Sequence, residues 1–345
     1  MAENLYAVPV AGVPAGRQLP QEPCPSCGQG FGEERFLVGE GTWRVLQCTH
    51  CGSGWLFPTP TPAEIHAFYP PAYYGDSGAK FEGPIELFVR VIAARQAAFL
   101  ARGLPAGARV LDVGCGRGVL LSALADRELA VHGFEISAAA TQGADHRAQI
   151  VVADDLARAE FPASWFDEVI FWHVLEHLPA PQQVLAEVVR ILKPGGQLII
   201  AVPNFSSWQA RWTGACWFHL DLPRHLLHFS RQGLLTLLEK HGFEVVSEHH
   251  FSLRQNPFGW IQSWLNQLGC WPRNQLYCRL QRSDGAPVAG PLAGLLQRLL
   301  AMLLLPAAAV LSMLEAAARC GGTFHVGARR KSPAAVEQPA SVSPS

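Results

Sequence analysis

The segment 110–120, with the sequence VLDVGCGRGVL, limits the fold of this chain more than any other stretch. A short apolar run typical of a buried strand leads into Gly114, Gly116 and Gly118, and a helical pattern follows. Glycines accept left-handed dihedrals and let the backbone approach a ligand closely, and the first turn of the helix offers unpaired N–H groups. The segment therefore predicts a strand–loop–helix unit that binds a small ligand.

Strand and helix patterns alternate on both sides of this loop. Strands are predicted at 109–113, 130–135, 149–153, 167–173, 196–202, 243–250 and 323–329, and helices at 118–127, 181–192 and 231–241. This alternation predicts an α/β fold with a doubly wound, mostly parallel sheet that carries helices on both faces. Two insertions interrupt it: 204–230, which is rich in aromatic residues and histidines, and 252–321.

The insertion 252–321 contains sixteen consecutive uncharged residues, Leu299 to Leu314, with Pro306 among them. A straight membrane span needs about 20 apolar residues, and this run is shorter and contains a proline. We interpret the segment as a pair of helices buried on the protein body. The alternative is peripheral contact of 292–318 with a membrane surface.

Four of the nine cysteines form two C-x-x-C pairs, Cys24 with Cys27 and Cys48 with Cys51. Pairs separated by about 20 residues are typical of tetrahedral zinc sites, because the two-residue spacing points both sulfurs of a pair at one ion. Disulfide formation or chance is the alternative. Four thiolates close the coordination shell, so the predicted zinc is structural and the segment is a zinc ribbon.

Composition excludes some partners. The chain has 27 basic and 28 acidic residues, which gives no overall field for a polyanion, so no nucleic-acid partner is expected. The N-terminus lacks the pattern of a secretory signal, and the remaining cysteines are scattered as in proteins with reduced thiols. We expect a cytoplasmic protein, with the membrane contact above as an addition.

The glycine loop fits two ligands, a nicotinamide dinucleotide or S-adenosylmethionine. Glu135 ends the next predicted strand, about 20 residues on, where a carboxylate can accept both hydroxyls of a ribose. The dinucleotide pattern G-x-G-x-x-G would require glycine at the position of Val119. Asp112 precedes the loop, where a carboxylate suits a cationic sulfonium better than a pyrophosphate. These details favour S-adenosylmethionine.

Several motifs, in order, resemble those of class I S-adenosylmethionine-dependent methyltransferases. VLDVGCGRGVLL resembles their first motif, and GFEIS, VVADDL, FDEVIFWHVLEHL and LKPGGQLIIAVPN resemble the next four. The resemblance runs from about 105 to 250, resumes at GGTFHVGARRK, and is strongest to ubiquinone-biosynthesis O-methyltransferases. The ribbon, YPPAYYG and LPRHLLHFS resemble zinc-ribbon methyltransferases of glycan and natural-product pathways. The resemblance implies a seven-stranded sheet whose last strand is antiparallel.

The resemblance also implies roles for single residues. Asp112 and the loop would hold the methionine part, Glu135 the ribose, and Trp172 would border the methyl group. The full cofactor set carried over is Asp112, Gly114, Cys115, Gly116, Gly118, Glu135, Ile136, Asp154, Leu156 and Trp172. Within this set, Ile136, Asp154 and Leu156 would lie at the adenine.

Histidines are the candidate bases on the acceptor side. HLDLPRHLLHFS brings several polar residues into one short segment, in which His225 and His228 would share a helical face if the segment were helical. The candidate catalytic residues are His173, His225, His228 and Asp221, and His177 and His219 are further histidines of this region. The alternative is that these side chains only join the insertion to the sheet. No metal is expected outside the ribbon.

The predicted domain boundaries follow from these patterns. They are an N-terminal segment with the zinc ribbon (1–56), a connector with a helix (57–104), the methyltransferase-like domain (105–251 with 322–331), a helical insertion (252–321) and a disordered tail (332–345). The expected function is O-methylation of a small-molecule or glycan acceptor. A dinucleotide-dependent oxidoreductase and a non-catalytic binding protein of the same fold are the alternatives.

Overall fold

The computed structural model describes residues 7–9, 22–29, 31–39, 42–69, 84–281 and 290–332. The predicted tail beyond 332 and residues 70–83 of the connector lie outside these ranges.

An antiparallel sheet begins the described chain. Its first four strands are β1 (Ala7–Pro9), β2 (Gly32–Val38), β3 (Trp43–Cys48) and β4 (Gly54–Phe57), and they pair in chain order. Helices α1 (Pro62–Ala67) and α2 (Pro84–Leu100) follow. The C-x-x-C pairs lie in the turns that flank β2 and β3, so the predicted ribbon architecture is confirmed.

The rest of the described chain contributes eight strands. They are β5 (Arg109–Val113), β6 (Ala130–Glu135), β7 (Gln149–Val152), β8 (Phe166–Trp172), β9 (Leu192–Pro203), β10 (Leu227–His228), β11 (Phe243–His249) and β12 (Thr323–Arg330). Seven of them form one sheet in the order β7-β6-β5-β8-β9-β12-β11, in which β12 is antiparallel to both neighbours and the other pairings are parallel. The predicted doubly wound sheet with an antiparallel last strand is confirmed.

The helices that follow in the described chain are α3 (Val119–Ala125), α4 (Pro181–Ile191), α5 (Trp208–Thr213), α6 (Arg231–Lys240), α7 (Asn256–Gln267), α8 (Gln275–Gln281) and α9 (Pro291–Ala317). Of these, α3, α4 and α6 pack against strands of the sheet, whereas α5, α7, α8 and α9 pack mainly against one another. Continuous apolar runs in the central strands are buried on both faces: Leu111, Ile170, Phe171 and Ile200 have no exposed surface. This rigid core fixes the carboxyl ends of β5, β6 and β8, where the candidate site residues lie.

The fifth strand of the ribbon sheet comes from the first insertion. β10 pairs antiparallel with β4, with Leu227 opposite Trp55 and His228 opposite Gly54. Next to this pair, the Ser230 hydroxyl caps α6 by accepting from the Gly233 amide at 2.9 Å, and it donates to the Cys51 carbonyl at 2.5 Å. The ribbon is therefore packed into the protein body and does not stand apart as a separate module.

The second insertion differs from its prediction. Helix α9 continues through Pro306 as one helix of 27 residues, so the expected break into a helical pair was wrong. The expected burial was also wrong for most of this helix, because 17% of its most apolar 18-residue window is buried. Length and apolarity alone would allow it to cross a membrane. Its buried side is held by Glu315, which accepts from the Trp260 indole at 2.9 Å and from the Gln209 amide at 2.9 Å.

Candidate active site

The glycine loop lies at the carboxyl end of β5, and its glycines are required by geometry. Gly114, Gly116 and Gly118 all have positive φ angles, of 73°, 51° and 71°. A Cβ on Gly114 would also lie 2.5 Å from a methyl carbon of Val174, in the turn after β8. The loop is therefore held against the end of β8 as well as leading into α3.

Glu135 connects this loop with the end of β6. One of its carboxylate oxygens accepts from the Gly116 amide at 2.9 Å, and the other accepts from the amides of Ile136 at 2.9 Å and Ser137 at 3.2 Å. A carboxylate has about four acceptor positions on its two oxygens. Three are filled by the backbone, which leaves capacity for a ligand hydroxyl.

Asp112 and Cys115 are the other polar residues of the loop. Asp112 is buried at the end of β5, and burial, followed by the charge of Glu135, raises the pKa of its carboxyl to about 7. The Cys115 sulfur points towards β6, where a Cβ on Gly133 would lie 2.6 Å from it. Burial raises the pKa of this thiol, which makes Cys115 a packing residue beneath the loop.

The predicted adenine and methyl-group residues have different environments. Ile136 is half exposed beyond β6, and Asp154 is exposed with Arg158 3.6 Å away. The side chain of Leu156 is 3% exposed and belongs to the main hydrophobic core, so only its backbone can face a surface ligand. Trp172 ends β8, half buried, with its ring 4.4 Å from the ring of His325.

The candidate catalytic residues meet beyond the end of β8. His173 has a φ of 57°, uncommon for a non-glycine residue, and its Nδ1 lies 3.2 Å from a carboxylate oxygen of Glu176. The ring of His225 lies 4.6 Å from the ring of His177, measured between centroids, and 6.3 Å from that of His228. Residues separated by about fifty positions in sequence thus form one polar cluster over the sheet edge.

Two parts of this arrangement correct the sequence analysis. The segment that holds His225 and His228 is not a helix, since His228 belongs to β10 and pairs with the ribbon. The sequence also gave no ligand cluster outside the ribbon, whereas Glu176, His177 and His225 each offer a ligand atom, and these atoms lie within 4.8 Å of one another. The carboxylate and the histidine in LEHL were visible in the sequence, but their proximity to His225 was not.

Burial controls the charges of this cluster. It lowers the pKa values of His173, His219 and His228 to about 3, with added effects of nearby charges, so all three imidazoles are neutral at pH 7. Asp221 is different. Burial acts to raise its pKa, but Arg224 and His225 outweigh burial and hold it below its usual range. Arg224 donates to both Asp221 oxygens, which accounts for the ionised state.

The four ribbon cysteines also converge. The sulfurs of Cys24 and Cys51 are 3.7 Å apart, as are those of Cys27 and Cys48, and all four lie within 4.8 Å of one another. Tetrahedral coordination with Zn–S bonds of about 2.3 Å requires sulfurs about 3.8 Å apart. All four residues are buried, and the knuckle glycines Gly28 and Gly52 have φ angles of 68° and 75°. The donor set fits a zinc ion.

Comparison with known proteins gives a family model and several similar proteins. A family model described as a methyltransferase domain matches residues 86–248. The ubiquinone biosynthesis O-methyltransferase of Pseudomonas entomophila is 37% identical over 108 residues, which cover 29% of this chain and 46% of that protein. The enzyme of the same name from Xanthomonas axonopodis is 36% identical over 115 residues, covering 30% and 46%. The chain thus spans about half the length of the relatives it matches.

The solved structures to which the chain is similar include methyltransferases. An S-adenosylmethionine-dependent methyltransferase from Archaeoglobus fulgidus has a TM-score of 0.42 at 20% identity, covering 72% of this chain and all of that one. A phosphoethanolamine N-methyltransferase from Haemonchus contortus has a TM-score of 0.47 at 18% identity, covering 79% and 62%.

The strand order, the glycine loop and the sequence matches agree on one class of domain. Residues 86–248 have the sequence and the fold of a class I S-adenosylmethionine-dependent methyltransferase domain.

The geometry of the loop yields a stability prediction. Gly114→Ala should lower the free energy of unfolding by about 2–4 kcal/mol, because the left-handed backbone and the contact with Val174 both oppose a Cβ. Gly116→Ala is the matched control: its φ is also positive, but nothing lies within 4 Å of its Cβ position, so we expect a loss of only about 1–2 kcal/mol. Urea unfolding measures both. Equal losses in the two variants would contradict the close approach to Val174.

Proposed function

We propose that this protein transfers the methyl group of S-adenosylmethionine to an oxygen atom of a small-molecule acceptor. The observation that carries the proposal is the hydrogen bond between the Glu135 carboxylate and the glycine loop, at the carboxyl ends of β5 and β6. This edge of an open α/β sheet is where ligands bind, and the strand order places the loop at its switch point. S-adenosylmethionine supplies a methyl group already activated by the positive sulfur.

The cofactor would be bound by the residues around that pair. Glu135 would accept from the ribose hydroxyls with its remaining capacity, and Asp112 would face the cationic methionine part. Ile136 would cover the adenine from its half-exposed position, and Asp154, exposed beyond β7, would reach the adenine edge. The backbone, not the side chain, of Leu156 would take part. Gly114, Cys115, Gly116 and Gly118 would shape the loop, and Trp172 would border the methyl group.

The acceptor would lie between Trp172 and the insertion 204–230. Methyl transfer is an in-line displacement, for which alignment of the two reactants supplies most of the acceleration. The proposed proton acceptors are His173, His225 and His228, although burial lowers the pKa values of these imidazoles and so weakens them as bases. Asp221 lies near them, with its carboxylate 3.8 Å from the Nε2 of His225.

The acceptor class is supported by the relatives. Oxygen is favoured over nitrogen and carbon because the curated relatives are named O-methyltransferases of ubiquinone biosynthesis. The same names favour a small molecule, whereas nothing in the fold or the site adds support for the predicted glycan acceptor. An oxidoreductase is disfavoured by Val119 in the dinucleotide pattern, and a binding protein without activity by the retained Asp112 and Glu135.

Membrane contact and location remain predictions. The exposed apolar residues of α9, among them Leu292, Leu299, Met302 and Leu303, support peripheral contact of this helix with a bilayer. A cytoplasmic location is consistent with the free state of the nine cysteines.

Binding of S-adenosylhomocysteine tests the function directly. Glu135→Gln should weaken this binding about 10- to 100-fold in calorimetric titration, because hydrogen bonds to a charged group are lost at the ribose. The exposed Glu239 provides the matched control, Glu239→Gln, whose affinity should equal that of the wild type. Absence of binding to the wild-type protein would overturn the proposed function. Unchanged binding by Glu135→Gln would overturn the assignment of the ribose site.

The pKa of Asp112 predicts a pH dependence of the binding of S-adenosylmethionine, whose sulfur is cationic. With a pKa of about 7 the carboxyl is protonated below neutrality, and a cationic ligand favours the ionised form, so affinity should rise about tenfold from pH 6 to pH 8. In the free protein, stability depends on pH with the opposite sign. Folding raises the pKa of Asp112, so the contribution of this carboxyl to the free energy of unfolding is lost as the pH rises from about 4 to 7. Titrations of Asp112→Asn should show weak binding without this slope. Asp154→Asn changes an exposed carboxylate and should keep the rise in affinity between pH 6 and pH 8. Loss of this rise in Asp154→Asn would contradict its assignment to Asp112.

We further propose that Cys24, Cys27, Cys48 and Cys51 bind one structural zinc ion. The sulfur spacing and the closed, buried shell of four thiolates support this assignment. The zinc would hold together the two turns of the ribbon and would take no part in the reaction, because no coordination position stays open.

Zinc content tests the ribbon. Cys24→Ser should release one zinc ion per chain and lower the melting temperature, because binding of the ion contributes to folding of the ribbon sheet. Cys270→Ser removes an exposed thiol outside the ribbon and should retain the metal and the melting temperature. Elemental analysis and thermal unfolding measure the two quantities. Equal zinc content in the two variants would contradict the site.

A further inference from the structure

A cleft of about 480 Å³ lies between the ribbon and the protein body. One wall is formed by β2, β3 and the turn that holds Cys48 and Cys51, and the other by α5 and the first turn of α6. Volumes of about 300–1,000 Å³ are typical of small-molecule sites. None of the candidate catalytic and cofactor residues, all of which the structure describes, lines this cleft.

Three arginines from distant parts of the chain line the cleft. Arg35 belongs to β2, Arg211 to α5 and Arg231 to the first turn of α6. The described residues that line the cleft include no aspartate and no glutamate. The lining therefore carries positive charge that comes from three separate elements.

A β-bulge directs the side chain of Arg35. Glu34 pairs with Leu46 and Phe36 with Val45, which leaves Arg35 as the extra residue of β2. Such a bulge changes the direction in which the extra side chain points. The Arg35 guanidinium lies over the ring of Phe36, 5.6 Å from the ring centroid, and Phe36 also lines the cleft. The local backbone therefore holds this cation at the cleft.

The charge of two of these arginines is not neutralised. Arg35 and Arg211 form no ion pair with any residue that the structure describes. Arg231 does have a partner, because Glu248 accepts from its Nε and its Nη2, each at 2.6 Å. This pair fixes the position of the Arg231 guanidinium and leaves its Nη1 free of Glu248.

We propose that this cleft binds the phosphate group of a soluble small molecule. A guanidinium can donate two parallel hydrogen bonds to phosphate oxygens, and three such groups from different directions suit a tetrahedral anion better than a planar carboxylate. The first amides of α6, those of Arg231 and Gln232, have no acceptor within the helix and would add to the attraction for an anion.

The cleft is next to the polar cluster at the end of β8 but separate from it. Phe205 lines the cleft, and its ring centroid lies 5.3 Å from that of His228. The Phe205 side chain thus stands between the phosphate site and the proposed acceptor site. The ribbon would take part in ligand binding in addition to holding its proposed zinc ion, and this inference does not depend on methyl transfer.

The alternative role for the arginines is to offset the charge of the zinc thiolates. Cys48 and Cys51 border the cleft, and four thiolates around one Zn²⁺ would carry a net negative charge. The Cys48 sulfur, however, already accepts from the amides of His50 at 3.4 Å and Cys51 at 3.5 Å. Both cysteines are buried, whereas Arg35 and Arg211 are exposed, which favours a ligand in the cleft as their partner.

Phosphate binding to the full chain tests the proposal. Titration of the zinc-loaded wild-type protein with inorganic phosphate, followed by phosphorus NMR, should show one saturable site with a dissociation constant below about 1 mM at about 0.15 M NaCl. Arg35→Gln and Arg211→Gln should each weaken this binding at least about tenfold, because each removes charge-assisted hydrogen bonds. Both side chains are exposed, so both variants should fold.

Arg127→Gln is the matched control, because Arg127 is exposed in the turn after α3 and does not line the cleft. Its affinity for phosphate should equal that of the wild type. A wild-type protein without saturable binding, or equal affinities in the wild type, Arg35→Gln and Arg211→Gln, would overturn the proposal. Loss of zinc with unchanged phosphate affinity in Arg211→Gln would also contradict it, because the arginine would then serve the thiolates. S-adenosylhomocysteine affinity, measured on the same samples, should stay unchanged, which keeps failure of this site distinct from failure of the proposed function.

Discussion

The pairing of β10 with β4 is the contact on which the arrangement of the site depends. Leu226, just before β10, accepts at its carbonyl from the Leu56 amide at 2.8 Å and donates its own amide to the Glu176 carbonyl at 2.9 Å. A single residue thus joins the ribbon, the first insertion and the turn after β8. Because His225 is its neighbour in the chain, the ribbon sets the position of that imidazole over the sheet edge, far from the ribbon cysteines in sequence.

The site holds several buried polar groups above an apolar core, and these groups differ in how many hydrogen-bond partners the protein gives them. Glu135 has backbone partners for both oxygens, and Asp221 has Arg224, so these carboxylates are satisfied inside the protein. Asp112 and Glu176 are less well satisfied, and burial raises the pKa of each to about 7. Unsatisfied groups of this kind cluster where a ligand is to be bound, since the ligand supplies the missing charge or hydrogen bond.

The sequence predicted most of the fold because local patterns determine it. The alternation of strands and helices predicted every strand end of the central sheet to within four residues, and the spacing of Cys24 to Cys51 predicted the ribbon. The predictions that failed depend on contacts between segments that are distant in sequence. The strand character of His228 depends on an edge offered by β4, and the ligand group at Glu176 depends on a contact across some fifty residues. Neither leaves a periodic signal in its own segment.

The prediction that helix α9 is buried on the protein body was wrong for a related reason. Its apolar composition predicts contact with an apolar surface but does not identify that surface. Glu315 anchors one side of it through Trp260 and Gln209, and crossing a bilayer would break these bonds and expose a charge to lipid. Lying along a bilayer surface would keep them. Gln209 and His219 both approach Gly259 of α7, so one layer of side chains connects the anchored side of α9 to the polar cluster. The bonds of Glu315 therefore join the buried side of α9 to the layer of side chains that borders the polar cluster.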